Sequence, residues 1–151
     1  MPTYPPTTNV SLRLDATTQA RATDLIDAIQ AAWDAYCVEH PDVDPGPPVD
    51  VAYVYFAAVT VGLSRWKTPN LWAPSYPAGQ PPDVPTSSSF ATHAGTGVST
   101  ISVAVNDLDI ARKTAIATAL GGGAAAAILG RACCTGVNML SGYDVDAGPF
   151  T

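Results

Sequence analysis

The side chains best suited to covalent chemistry are few. Cys37 and His40 stand three apart at the end of a helical pattern, the spacing of a thiol and its base. No group nearby would orient the histidine and no oxyanion donors are signalled, so the plainer expectation is a packed cysteine beside a polar helix terminus. His93 follows Ser87, Ser88 and Ser89, but no GxSxG elbow accompanies it. With two histidines in the whole chain, a histidine-rich metal centre is excluded. Asp42-Val43-Asp44-Pro45-Gly46 opens like a calcium loop, yet Pro45 stands where a third ligand is needed and Tyr53 where the closing glutamate belongs. Gly121-Gly122-Gly123 lacks the Gly-Lys-Ser/Thr of a phosphate loop, and suits close helix packing better. The sequence therefore points away from an enzyme, and to no cofactor and no bound metal, with a looser calcium or proton site at an interface as the alternative use of the Asp42 and Asp44 carboxylates.

Aromatic residues carry a stronger signal. Trp66, Trp72 and Tyr76 lie in a proline-rich stretch, where large rings mark a contact patch, and they are the expected interface residues. Arg65 and Lys67 flank Trp66, so a stacked base beside a contacted phosphate is a second use of the same segment.

The elements that must position these residues follow from pattern. Prolines and threonines make residues 1–13 an extended arm. Asp15 is placed to cap a helix reaching Glu39, with Leu25, Ile26, Ile29, Trp33, Tyr36 and Cys37 on one side, and Pro41 ends it. The apolar run from Val51 to Leu63 favours a strand by composition. Its length and Asp50 favour a helix, and a buried helix is the reading adopted. Residues 64–98 form a long proline-rich loop. Ser99 to Val105 alternates as a short strand, Asn106 caps a following helix, and Ala124 to Cys134 forms a second one. Residues 135–151 read as a tail. The expectation is a mainly α, helical-bundle-like single domain over residues 14–134, with one short β element and extended N- and C-terminal arms.

Composition narrows the function. Charged residues are only 13% of 151, about half the ordinary share, and a surface so poor in charge invites association. The net charge of −6 lies wholly in residues 1–50, which excludes a free-standing basic nucleic-acid-binding domain. Three cysteines, two of them adjacent, make no disulfide framework and suggest a reducing compartment. No basic start with an apolar run suggests a signal peptide, and the Ala115–Leu129 stretch is too short and too glycine-broken for a membrane span.

Val54-Tyr55-Phe56-Ala57, then Thr68-Pro69-Asn70-Leu71-Trp72-Ala73, then Ser89-Phe90-Ala91, resembles the coat proteins of flexible filamentous plant viruses. Those carry an "RYFA"-like helix, a "PPANW"-like loop and a "KFAAFDFF"-like segment in the same order. The likeness covers residues 50–120. It departs at the family's paired arginine and aspartate, which would fall near Asp50 and near His93-Ala94. The length and the Gly148-Pro149-Phe150-Thr151 ending look more like the rod-shaped, tobacco-mosaic-type coat proteins with their four-helix bundle. Either resemblance implies a coat subunit that polymerises into a helical virion and encloses single-stranded RNA, in the virion and the host cytoplasm. RNA contact would fall to Arg65, Lys67, Arg112, Lys113 and Arg131, the whole basic complement of residues 51–151. The alternatives are a bacteriophage head–tail or tail accessory protein, which assembles without RNA, and a small intracellular enzyme or ligand-binding domain.

Overall fold

The computed structural model describes residues 1–65, 99–119 and 125–143. It is mainly helical with one small antiparallel sheet. In chain order it contains β1 (Thr7–Leu14), α1 (Ala16–Asp24), α2 (Ile26–Glu39), α3 (Val51–Arg65), β2 (Ser99–Asn106), α4 (Asp107–Ala119) and α5 (Ala125–Leu140).

The helix starts have local causes. Asp15 caps α1 by accepting the Thr18 N–H at 3.0 Å, and Asp50 accepts the Tyr53 N–H at 2.9 Å ahead of α3. Asn106, the last residue of β2, accepts the Leu108 N–H at 2.9 Å and turns the strand directly into α4. The expected helix from Asp15 to Glu39 is interrupted at Leu25. Its N–H is shared between the Arg21 and Ala22 carbonyls and its side chain is buried in the core, while its backbone stays right-handed helical and its carbonyl accepts the Ile29 N–H at 3.0 Å.

The centre of the molecule is the crossing of α3 and α5. Val54, Val59 and Leu63 of α3 are buried against Ile128, Cys133 and Val137 of α5, among the side chains of one continuous core. The helices meet at their backbones. A Cβ on Gly62 would stand 1.8 Å from the Ala132 carbonyl oxygen, and one on Gly136 would stand 1.8 Å from that of Ala58. Ala58 and Gly62 thus face Gly136 and Ala132 in two reciprocal pairs, a spacing of four that stacks small residues on one face of each helix. The close helix packing expected of Gly121-Gly122-Gly123 falls outside the described residues.

The N-terminal reading needs correction. Residues 1–13 are not an arm detached from the domain: Thr7–Leu14 pairs antiparallel with Ser99–Asn106, with Val10 opposite Val103 and Leu12 opposite Ile101. Leu12, Leu14, Val103 and Val105 are all buried on one face of this ribbon. Two strands alone are marginal in water, and here the ribbon lies against α3 and α5. Ahead of β1, Tyr4 packs edge-on against Tyr53 and Phe56 of α3, with ring centres 5.7 and 5.0 Å away. The tail boundary also shifts, because α5 continues through Leu140 with Thr135 and Val137 buried.

Candidate interaction face

Helix α2 differs from the other described helices in what it covers. Over 14 residues it buries no side chain completely, although it carries Ile26, Ile29, Trp33, Tyr36 and Cys37. Ile26 and Ile29 pack partly on the core. Beyond them, Tyr36 is 45% and Val38 81% exposed. Trp33 stacks on Tyr36 at 5.4 Å between ring centres, and Tyr36 stacks on His40 at 4.0 Å, making a surface ladder of three flat rings. Positions 33, 36 and 40 follow one another on a single helical face, which is why these rings meet.

The ladder borders a groove. Pro2, Ile29, Ala32, Trp33, Tyr36 and Tyr53 enclose about 350 Å³ of open, mostly apolar space. The turn after α2 is fixed to the groove by specific bonds. The Trp33 indole Nε1 donates to the Pro45 carbonyl at 2.8 Å, and the Val49 N–H donates to Gln30 Oε1 at 2.6 Å. Gly46 supplies the left-handed residue of this turn, with φ of +64°, and the terminal amino group of Met1 donates to the carbonyls of Pro45 and Pro47. Burial raises the Tyr53 hydroxyl above its ordinary pKa, so this ring is neutral at pH 7.

The segment of chain that carries the groove is acidic. No lysine or arginine stands between Arg21 and Arg65, while Asp24, Asp27, Asp34, Glu39, Asp42, Asp44 and Asp50 do. Asp42 and Asp44, considered above as calcium ligands, sit on the exposed turn, and Asp44 accepts the Gly46 N–H at 3.0 Å. Among the described residues, no group of three or more His, Cys, Asp or Glu side chains is placed to hold a metal ion.

The sequence-predicted nucleic-acid residues whose side chains are described fall on two helices. Arg112 and Lys113 are neighbours on α4, and Arg131 lies on α5 with its Nη1 buried. Arg112 faces inward at 3.3 Å from Asp109, a carboxylate only 1% exposed that also accepts the Thr60 hydroxyl at 2.5 Å. Desolvation raises the Asp109 pKa, and the Thr60 and Arg112 contacts only partly offset it. Arg65 closes α3, and its side chain, like Lys67 and the expected interface residues Trp66, Trp72 and Tyr76, lies outside the described residues.

His40 and the two cysteines of α5 each have a packing partner. The His40 Nδ1 is 2.9 Å from the Tyr36 carbonyl and its ring lies on Tyr36. Cys133 is fully buried, and burial pushes its thiol pKa well up, away from nucleophilic use. Cys134 contacts Thr18 Oγ1 at 3.3 Å and accepts from Asn138 Nδ2 at 3.7 Å, a polar seam between α1 and α5. His93 and its serines lie outside the described residues.

The feature that sequence reasoning missed is the groove itself. The apolar stripe along α2 was legible, but nothing in its spacing tells whether a stripe faces the core or the surface. No protein-family model matches the chain, and neither a curated protein nor a solved structure does so. Among the described residues no helix is long and apolar enough to cross a membrane.

Proposed function

We propose that this chain is a structural subunit that assembles with copies of itself, a coat-type building block of a virion or filament. The observation that carries this reading is α2: a 14-residue helix that buries no side chain completely and leaves Tyr36 and Val38 exposed. Helices of this length owe most of their stability to packing, so a face bearing Trp33 and Tyr36 gains by burial against a neighbour. A surface poor in charge supports the same reading. The resemblance of residues 50–120 to filamentous-virus coat proteins adds single-stranded RNA as the enclosed cargo and Arg65, Lys67, Lys113 and Arg131 as its contacts. Arg112 is partly committed to Asp109, which favours the RNA-free assembler, a phage head–tail or tail accessory subunit, as the second reading.

Negative-stain imaging of the purified protein, with nuclease digestion of any co-purifying nucleic acid, tests this directly. Filaments holding protected RNA support the coat reading, and RNA-free rings support the second. A species that stays monomeric at every concentration refutes both.

A further inference from the structure

We infer that the α2 groove receives the proline-rich stretch Arg65–Pro77 of a neighbouring copy. This rests on the assembly reading above and names the partner of the same face.

The groove has the chemistry of a proline site. Its walls are the rings of Trp33, Tyr36 and Tyr53, with Pro2 beside them. Flat rings suit an extended proline-rich chain, which is already stiff and leaves its carbonyls free to accept. The molecule shows both halves of that recognition on its own residues. Pro2 lines the groove beside the aromatic residues, and the Trp33 indole donates to a proline carbonyl, that of Pro45.

Charge selects the occupant. A groove bordered by the acidic turn, where Asp44 bonds Gly46 beside the Pro45 held by Trp33 and Asp50 caps the turn leading to Tyr53, repels an acidic peptide and attracts a basic one. The chain has three proline-rich stretches besides its N-terminus. Residues 41–50 are part of the acidic turn, and 77–85 carries Asp83 and no base. Residues 65–77 hold Pro69, Pro74 and Pro77, the bases Arg65 and Lys67, and no acid. They also hold Trp66, Trp72 and Tyr76, the large anchors that dominate interface energetics. Groove and ligand are different parts of one chain, so their pairing between copies is head-to-tail. Such contacts propagate into a ring or an open filament.

The test has two arms. In the first, a fluorescein-labelled peptide of residues 65–77 is titrated with the full-length protein and followed by anisotropy. Saturable binding is expected, weakened by salt. Trp33→Ala should reduce it by about thirtyfold or more, the loss of a hot-spot tryptophan. Tyr36→Ala, whose side chain is largely exposed, serves if Trp33→Ala perturbs the helical circular dichroism. Absence of saturable binding, or binding indifferent to both substitutions, overturns the inference whether or not the protein assembles.

In the second arm, Trp33→Ala lacks a working groove and Arg65→Glu/Lys67→Glu lacks a working ligand. Each alone should sediment as a monomer, and a 1:1 mixture should form dimers and nothing longer. A mixture that stays monomeric overturns the inference. If Arg65→Glu/Lys67→Glu assembles normally while Trp33→Ala does not, α2 is an interface with a different occupant. The inference then fails while the assembly reading stands.

Discussion

Trp33 and Pro45 are joined by one hydrogen bond of 2.8 Å, from the indole N–H to the proline carbonyl, and that bond ties the aromatic face of α2 to the acidic turn that follows it. Without it, the ring of Trp33 and the Pro45–Pro48 segment would be independent surface features. With it, the groove has a fixed wall. A helix that buries none of its side chains completely nevertheless presents an ordered surface.

Removing that bond should matter little to the folded subunit and much to its associations. Trp33→Phe keeps a ring but not the donor, and should cost about 1 kcal/mol of unfolding free energy, the net worth of an ordinary hydrogen bond. Trp33→Ala should cost about 1–2 kcal/mol, since the ring is only half-buried. Urea denaturation measures both. A loss above about 4 kcal/mol would place Trp33 among the core-forming residues.

The helix crossing is far less tolerant. Gly62→Ala or Gly136→Ala drives a methyl into a carbonyl oxygen of the opposing helix, and neither backbone can yield without separating α3 from α5. Each should cost about 3 kcal/mol or more, at the upper end of overpacking substitutions. Ala at Gly142 is instructive by contrast, because a Cβ there meets nothing within 4 Å and only its φ of +80° resists. Thermal unfolding should rank Gly142→Ala well above the other two.

The N-terminal strand is part of the domain, so its removal should be felt by the monomer. Leu12→Ala leaves a cavity where a side chain 1% exposed had been, and should cost about 3 kcal/mol. Deleting residues 1–10 removes half of the β1 pairing partners of β2 and should lower the melting temperature of the isolated subunit markedly. An unchanged melting temperature would mean that the ribbon contributes nothing.

Asp109 gives the subunit a defined pH response. Its folded pKa lies above the ordinary carboxylate value, because burial disfavours the charged form. The native state therefore holds this proton more tightly than the unfolded chain does. The contribution to stability is fully present below the unfolded pKa, and it is lost as pH rises through the raised folded value. Asp109→Asn should flatten that part of the stability–pH curve. Arg112→Ala removes the partner of a buried charge and should cost about 3 kcal/mol at pH 7 and less at pH 4. Denaturation series at the two pH values decide it, and equal losses at both would contradict the assignment.

Much of this architecture was legible in the residues. Asp15, Asp50 and Asn106 announce three helix starts, Pro41 a helix end, and the alternation from Ser99 to Val105 a strand. The run from Val51 to Leu63 is a helix because Asp50 caps it and its apolar residues can be covered on several sides. β1 was hidden by its neighbourhood. Pro5 and Pro6 precede it, and its alternating Val10, Leu12 and Leu14 have meaning only against a partner strand far along the chain. The boundary at Leu25 carries no glycine or proline; it falls on a residue buried in the core whose N–H is shared between two carbonyls, which no local pattern announces. The same limit applies to the candidate face. Its stripe is local, but its exposure depends on what the rest of the chain leaves uncovered.

Sedimentation velocity over a hundredfold range of concentration, comparing the wild-type protein with Trp33→Ala/Tyr36→Ala, tests the assembly claim most directly. The wild type should move to larger species as concentration rises, and the double variant should remain a folded monomer throughout. A wild type that stays monomeric over the whole range, or a double variant that assembles as the wild type does, would contradict the account.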